Sequence, residues 1–235
     1  MSSVLMPPAT LSFAHFEMAV HARSNRPRVQ RWAGVLWLAI VQWFVVQGIV
    51  QLAWPHPYSA VRNAISDLGR LSCGPQLCSP WHDLMNASFV ALGLCMAAGA
   101  VAAEASSPRV SRLSRAGAAV LALAGLGVIL VGLVPEDTIA WLHMLGAGLA
   151  IVGGNAGTLL TGILLWRAGR LRWVGMLGCA AGVLGALFVG LLAVSFLSGA
   201  LFDVQGLLER GAVYPLLLAM IVSGGALVRG DWLQR

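Results

Sequence analysis

Six long apolar runs separated by short polar intervals dominate the pattern of the chain. The runs lie at about residues 32–54, 83–103, 116–134, 139–165, 174–198 and 211–228. Each run is long enough for a helical membrane span, which needs roughly 20 apolar residues. The runs are continuous and do not alternate with a period of two, which argues against a transmembrane β-barrel. The pattern therefore predicts an all-α polytopic membrane protein with six transmembrane helices.

The same pattern predicts the organisation of the chain. Residues 32–228 are predicted to form one six-helix transmembrane domain, in which the polar stretch 55–82 is the first long loop. Residues 1–31 and 229–235 are predicted to be tails. Proline, histidine and glutamate interrupt the apolar content of the first tail, so a signal peptide is not expected there.

The arginines predict an orientation for the bundle. All 15 basic residues are arginine, and twelve of them lie in the two tails or in the intervals after the second and fourth runs. The other three, Arg62, Arg70 and Arg210, lie in the remaining intervals. Because positive charge is enriched in cytoplasmic segments, both termini are predicted to be cytoplasmic and the loop 55–82 extracytoplasmic. The richness in Arg, Ala, Gly, Leu and Val indicates a bacterial cytoplasmic (inner) membrane.

The composition agrees with a membrane protein and indicates which class of partner to expect. The chain is 58% hydrophobic and only 10% charged, whereas soluble domains carry about 25% charged residues. The net charge of +6 follows the orientation bias, and no basic groove with interleaved aromatic residues indicates nucleic-acid binding. Membrane lipids are therefore the expected partners, and the oligomeric state is left open.

Cysteines in the first polar loop suggest a disulfide. Cys73 and Cys78 flank the turn-forming pair Gly74-Pro75. A disulfide persists in an oxidising compartment such as the predicted outer side. The alternative is a metal-binding pair, which lacks the second cysteine pair of common zinc sites.

Ionisable residues gather on the predicted outer side and form the candidate site. Carboxyl groups and imidazoles near a membrane are costly unless they are paired or line a wet cavity. The candidates for acid/base catalysis are Asp67, Asp83, His143 and His82. The candidates for substrate binding are Ser66, Asn86, Asp137, Glu209 and Arg210.

Structural roles compete with these chemical ones. Ser79 can cap the second helix, and Asn86 lies within helical reach of His82 and Asp83. Arg210 is predicted to pair with an outer carboxylate such as Asp67, and Asn155 to make an interhelical hydrogen bond.

A metal site is the weaker expectation. No cofactor is expected, although zinc remains an alternative because neutral imidazoles and carboxylates suit it. Its ligands would be His56, His82 and His143. An H-x-x-x-H pair, which membrane hydrolases resembling alkaline ceramidase use, does not occur in the sequence.

Several short motifs carry a family resemblance. They are "ISDLG" at 65–69, "PWHDLMNASFVALG", "VGLVPED" followed by a histidine, and "GLLER" before the last run. In this order, over about 32–228, the chain resembles the bacterial six-span family catalogued as domain of unknown function 998. A fainter similarity joins it to the Frag1/DRAM/Sfk1 group, which is associated with lipid handling. The resemblance implies a topology but no activity.

Three functions are compatible with these features. The first is acid/base chemistry on a lipid or prenyl-type substrate at the extracytoplasmic face. The second is a non-catalytic lipid-binding, assembly or sensor protein, in which the outer polar groups hold the loops. The third is a small-molecule transporter, for which inverted repeats and broken helices would be expected.

Overall fold

The computed structural model describes residues 25–230, except 56, 76, 108–109 and 170, and leaves the side chain of Phe202 undescribed. It contains six long helices, and the described residues include no strand. They are α1 (Asn25–Leu52), α2 (His82–Ser106), α3 (Arg112–Leu133), α4 (Ala140–Ala168), α5 (Arg172–Ser198) and α6 (Gln205–Arg229). All six are long and apolar enough to cross a membrane, so the predicted all-α six-helix architecture is confirmed.

Helix ends differ most from the prediction at α1 and α6. The first helix begins at Asn25, inside the stretch predicted to be a tail, and the last begins at Gln205 instead of about residue 211. Glu209 and Arg210 therefore lie within α6 and do not precede it. Residues 1–24 and 231–235, which make up most of the two predicted tails, are outside the described residues.

Local sequence explains where several helices begin and end. Ser111 caps α3 in a reciprocal capping box with Ser114, which satisfies backbone N–H groups that have no partner within the helix. Gly169 ends α4 and Gly199 ends α5, with φ of 77° and 70°. Glycine adopts this left-handed conformation without a steric penalty, so both helices stop at a defined residue.

Glycine contacts bring the helices close together. A Cβ on Gly93 of α2 would lie 2.4 Å from the carbonyl oxygen of Gly125 in α3. Similarly, a Cβ on Gly162 of α4 would lie 2.6 Å from the backbone nitrogen of Cys179 in α5. Without a hydrophobic force between helices in lipid, close backbone packing of this kind stabilises the bundle.

Polar side chains inside the bundle are joined across helices. Gln42 of α1 exchanges two hydrogen bonds with Ser88 of α2, through the Ser88 hydroxyl and carbonyl groups. Asn155 of α4 donates to the carbonyl oxygen of Ala212 in α6 at 2.8 Å, which confirms its predicted interhelical bond. Such bonds satisfy polar groups that lipid cannot.

The loops divide the bundle into two ends. We call the network end the one with segments 53–81, 134–139 and 199–204, and the arginine end the one with segments 107–111 and 169–171. The network end corresponds to the predicted extracytoplasmic side. Which side of a membrane each end faces stays a prediction.

Candidate functional site

Arg210 lies at the centre of the polar groups at the network end. It belongs to the second turn of α6, and only 7% of the residue is exposed. Its Nη1 donates to the carbonyl oxygens of Ala60, Asn63 and Gly206, each at 2.9 Å. Its Nη2 donates to the Tyr58 hydroxyl at 2.5 Å. The guanidinium therefore joins α6 to the loop before α2.

This arrangement corrects the predicted ion pair between Arg210 and Asp67. Among the described residues, Arg210 forms no salt bridge with that carboxylate. Its guanidinium N–H groups instead donate to main-chain carbonyl groups of the loop. Tyr58 completes the contact, because its hydroxyl donates to the carbonyl oxygen of Ala64 at 2.8 Å. Burial raises the pKa of Tyr58, so its hydroxyl remains a donor.

Asp67 folds its own turn and contacts a second carboxyl group. One oxygen accepts from the N–H of Ala64 at 2.9 Å and from the side chain of Asn63 at 3.5 Å. The Asp67 carboxyl also hydrogen-bonds that of Glu136. Burial, followed by the charge and the hydrogen bond of Glu136, raises the pKa of Asp67 from 3.8 to about 7. The Asp67 carboxyl therefore keeps its proton up to about neutral pH, in its hydrogen bond with Glu136.

Glu209 fixes the same segment from the side of α6. Its Oε2 accepts from the N–H of Ile65 at 2.5 Å. Asp67 and Glu209 thus accept from consecutive backbone N–H groups, those of Ala64 and Ile65. The short 3₁₀ helix Ser66–Gly69 follows immediately, so two carboxyl groups determine where it begins.

The turn between α3 and α4 binds the next part of the loop. Glu136 accepts from Arg70 Nη1 at 3.1 Å. Asp137 accepts from the N–H groups of Leu71 and Ser72, at 3.1 and 2.7 Å. Burial opposes ionisation of Asp137, but the Ser72 side chain and these N–H groups outweigh it and lower its pKa. Asp137 is therefore an ionised backbone anchor at neutral pH.

We call these eight side chains the loop network. Its members are Tyr58, Asn63, Asp67, Arg70, Glu136, Asp137, Glu209 and Arg210. Together they attach segment 58–72 to α6 and to the turn after α3.

The polar residues around the start of α2 make different contacts from those predicted. Ser79 does not cap the helix; its hydroxyl donates to the carbonyl oxygen of Leu68 at 2.6 Å. Asn86 donates to the carbonyl oxygen of Gly69 at 2.8 Å, so it holds the 3₁₀ helix and is not bonded to His82 or Asp83. The Asp83 side chain is 94% exposed. Its contact with His82 Nε2, at 3.4 Å, therefore lies at the surface.

Three of the predicted site residues line one small cavity below the loop. Ser66, His143 and Glu209 face a space of about 60 Å³ that is otherwise walled mostly by apolar side chains of five helices. His143 is 5% exposed, and its Nδ1 lies 2.7 Å from the carbonyl oxygen of Val134. Trp43 also lines the cavity, and within the described chain its Nε1 has no hydrogen-bond partner. The cavity combines a hydroxyl, an imidazole and a carboxyl group.

The structure bears differently on the disulfide predicted for the cysteines of the first loop and on the zinc site considered for the histidines. The Sγ atoms of Cys73 and Cys78 lie 1.97 Å apart, at disulfide distance, so the predicted pairing is confirmed. Among the residues that the structure describes, no three His, Cys, Asp or Glu side chains are grouped as metal ligands. His56 lies outside the described residues, and the zinc alternative stays a prediction.

A family model described as "Protein of unknown function (DUF998)" matches residues 37–226. The chain belongs to this family. The DUF998 match extends from α1 to α6 and includes every member of the loop network. No curated protein and no solved structure matches the chain. The fainter similarity to the Frag1/DRAM/Sfk1 group and the bacterial origin stay predictions.

Sequence reasoning missed part of the loop network. Tyr58, Asn63, Arg70 and Glu136 are as central as the predicted residues. Tyr58 could have been noticed, because the chain has only two tyrosines and this one stands in the polar loop. The contacts of Arg210 with main-chain carbonyl groups could not be predicted, because every residue has such a group and the sequence does not show which ones lie close.

Proposed function

We propose that this protein is a non-catalytic membrane sensor, whose loop network holds segment 58–72 on the helix bundle in a proton-dependent manner. The observation that supports this function is the burial of Asp67 beside the carboxyl group of Glu136, whose charge and hydrogen bonding act on it. Two carboxyl groups attract each other while they share a proton and repel each other when both are ionised. Because the buried guanidinium of Arg210 is bonded to carbonyl groups, it does not neutralise this repulsion directly.

The surroundings of Asp67 favour a response near neutral pH. Asn63 and the Ala64 N–H face it from its own loop. Glu136 faces it from the turn after α3 and is itself paired with Arg70 of the loop. Glu209 and Arg210 lie beyond on α6, and both interact with segment 60–65. Loss of the shared proton would therefore weaken the contact between the 3₁₀ helix and the α3–α4 turn, and the loop would loosen.

The pH dependence of stability tests this proposal. The pKa of Asp67 is about 7 when folded, against an ordinary 3.8, so the folded state holds more protons between these two values. Stability should therefore fall as pH rises through this window and level off above about 7. Asp67→Asn keeps an acceptor for the Ala64 N–H but does not titrate, so its unfolding should vary less with pH.

Melting temperatures in detergent from pH 4 to 8.5 measure this effect. The matched control is Asp203→Asn, because Asp203 is an exposed carboxylate at the same end. Hydrogen exchange of residues 64–72, corrected for the intrinsic rate, should show lower protection at pH 8 than at pH 6 in the wild type and in Asp203→Asn, but not in Asp67→Asn. An Asp67→Asn variant that follows the wild-type pH profile would refute the proposal.

A second function is favoured by the cavity of Ser66, His143 and Glu209. A hydroxyl, an imidazole and a carboxyl group beside apolar walls could perform acid/base chemistry on a lipid or prenyl-type substrate. His143→Ala and Glu209→Gln should then each abolish turnover of a lipid substrate. Asp83→Asn should leave it unchanged, because that carboxylate is solvent-exposed. Activity in both cavity variants would exclude this chemistry.

A further inference from the structure

A second and larger cavity lies at the arginine end of the bundle. Its volume is about 300 Å³, and residues of all six helices line it. This volume reaches the lower end of the range for ligand pockets, roughly 300–1,000 Å³. Its lining extends to Ser107 and Leu171 in the loops of that end, so its mouth lies there. It is separate from the loop network at the opposite end.

Small residues create this space. The small residues that line it include Ala100, Ala103 and Ala118. Helices of membrane proteins usually use such residues to approach one another closely. Here they border an open volume, and most of the remaining wall is apolar. An apolar chain is therefore the expected filling.

Two buried polar atoms in the wall indicate that the occupant is not purely hydrocarbon. Trp37 and Thr158 line the cavity and are only 5% and 4% exposed. Within the described residues, neither Trp37 Nε1 nor Thr158 Oγ1 has a hydrogen-bond partner. Buried polar groups are nearly always bonded, and an indole N–H can only donate. An acceptor such as an ester carbonyl oxygen would satisfy either of them.

The mouth has a charge pattern of its own. Glu104 lines it, and its Oε1 accepts from the Ser114 hydroxyl at 2.9 Å. No arginine is among the described residues that line the cavity. Arg112, Arg115 and Arg172 are exposed on the adjoining helix starts. A carboxylate in the mouth complements a cationic group, and the exposed guanidiniums beside it complement an anionic one, so the mouth suits a zwitterionic headgroup.

The spacing between these features fits a phospholipid headgroup. Trp37 packs on Gly99, since a Cβ there would lie 2.4 Å from the indole Nε1. Gly99 and Glu104 are five residues apart on α2, or about 7.5 Å along the helix axis at 1.5 Å per residue. A headgroup can bridge that distance between an ester and a terminal amine.

We propose that the cavity at the arginine end binds a glycerophospholipid with a primary ammonium headgroup, of the phosphatidylethanolamine class. The ammonium group contacts Glu104, and ester carbonyls accept from Trp37 and Thr158. An acyl chain fills the apolar space between the helices. This site is independent of the proton-dependent function proposed for the opposite end.

Native mass spectrometry of the full chain in detergent tests the headgroup. The probes are phosphatidylethanolamine, phosphatidylglycerol and diacylglycerol with identical acyl chains. Phosphatidylethanolamine should bind at least about fivefold more tightly than the other two, and Glu104→Gln should remove this preference. Equal binding of the three lipids to the wild type would overturn the proposal.

Two further variants test the cavity without relying on loss of folding. Thr158→Val should weaken phosphatidylethanolamine binding about five- to tenfold, as expected for one hydrogen bond of about 1 kcal/mol. The same change should leave the lipid-free melting temperature unchanged or higher, because it removes an unpartnered hydroxyl. Unchanged lipid affinity in Thr158→Val would contradict the assignment.

The matched pair Ala118→Leu and Ala119→Leu tests occupancy. Ala118 lines the cavity, whereas the adjacent Ala119 is exposed on the outside of the same helix. Ala118→Leu should reduce lipid binding at least tenfold, and Ala119→Leu should leave it as in the wild type. Equal binding by the two variants would show that the lipid sits elsewhere.

Discussion

The guanidinium of Arg210 makes more contacts between α6 and the first loop than any other side chain described at this end. A charge at the edge of a membrane span is costly unless it is paired or bonded. Here three carbonyl groups and the Tyr58 hydroxyl replace the hydration of the guanidinium. Its Nε has no partner within the described residues. The side chain therefore organises the loop backbone and leaves carboxyl chemistry to its neighbours.

Replacing Arg210 should unfold the loop and destabilise the whole domain. Arg210→Ala removes the guanidinium from the loop carbonyl oxygens of Ala60 and Asn63, and hydrogen bonds to charged groups contribute about 1.5–3 kcal/mol each. We expect a loss of at least about 3 kcal/mol in the free energy of unfolding. Chemical denaturation in detergent measures it. Arg62→Ala, an exposed residue of the same loop, is the control and should stay within about 0.5 kcal/mol of the wild type. Equal stability of the two variants would contradict the role given to Arg210.

At the scale of helices, Asn155 joins three elements at the middle of the bundle. It follows the π-helical segment Leu149–Gly153 of α4, and its Nδ2 donates to Ile151 and to Ala212 of α6. Pro215 lies inside α6 and lacks an N–H group, so the carbonyl group of Gly211 loses its helical donor. Asn155 donates to the next carbonyl group, that of Ala212. Helix α5 closes over this contact at a glycine.

That glycine gives a prediction about helix packing. A Cβ on Gly185 would clash with Asn155 Oδ1, whereas one on Gly190 would meet nothing within 4 Å. Gly185→Ala should therefore cost about 1–3 kcal/mol through overpacking. Gly190→Ala, in the same helix, should be neutral or stabilising because alanine is a better helix former. Melting temperatures of the two variants give the comparison. Similar values would mean that α5 can shift away from α4 at little cost.

The hydrophobic pattern was sufficient to predict the six helices but not to place their polar ends. Glu209 and Arg210 interrupt the apolar run, so the pattern placed α6 too late. Both side chains form hydrogen bonds with loop residues that are distant from them in sequence. The pattern brought Ser66, Asp67 and Glu209 to the same end through topology alone. It could not distinguish Asp67, which is buried, from Asp83, which is exposed, because both belong to the polar interval between the first two predicted helices or to its edge.

For the whole molecule, the two ends differ in charge, and this difference predicts the orientation in the membrane. Cys73 and Cys78 lie at the network end, and exposed Val110 lies at the arginine end. After reduction, a membrane-impermeant maleimide added to intact cells should label the cysteine pair. A cysteine at Val110, in a variant with Cys73 and Cys78 replaced by serine, should be labelled only in inverted vesicles. The opposite result would reverse the predicted topology.

The two cavities follow one another along the bundle. Met96 lines the smaller and Ala100 the larger, one turn further along α2, and Leu217 and Met220 repeat this order on α6. The interior is thus filled least from the middle of the bundle to the arginine end. Unfolding under hydrostatic pressure is favoured by the elimination of internal voids. The lipid-free protein should accordingly be compressible and sensitive to pressure. It should unfold at a lower pressure than the protein whose larger cavity is occupied.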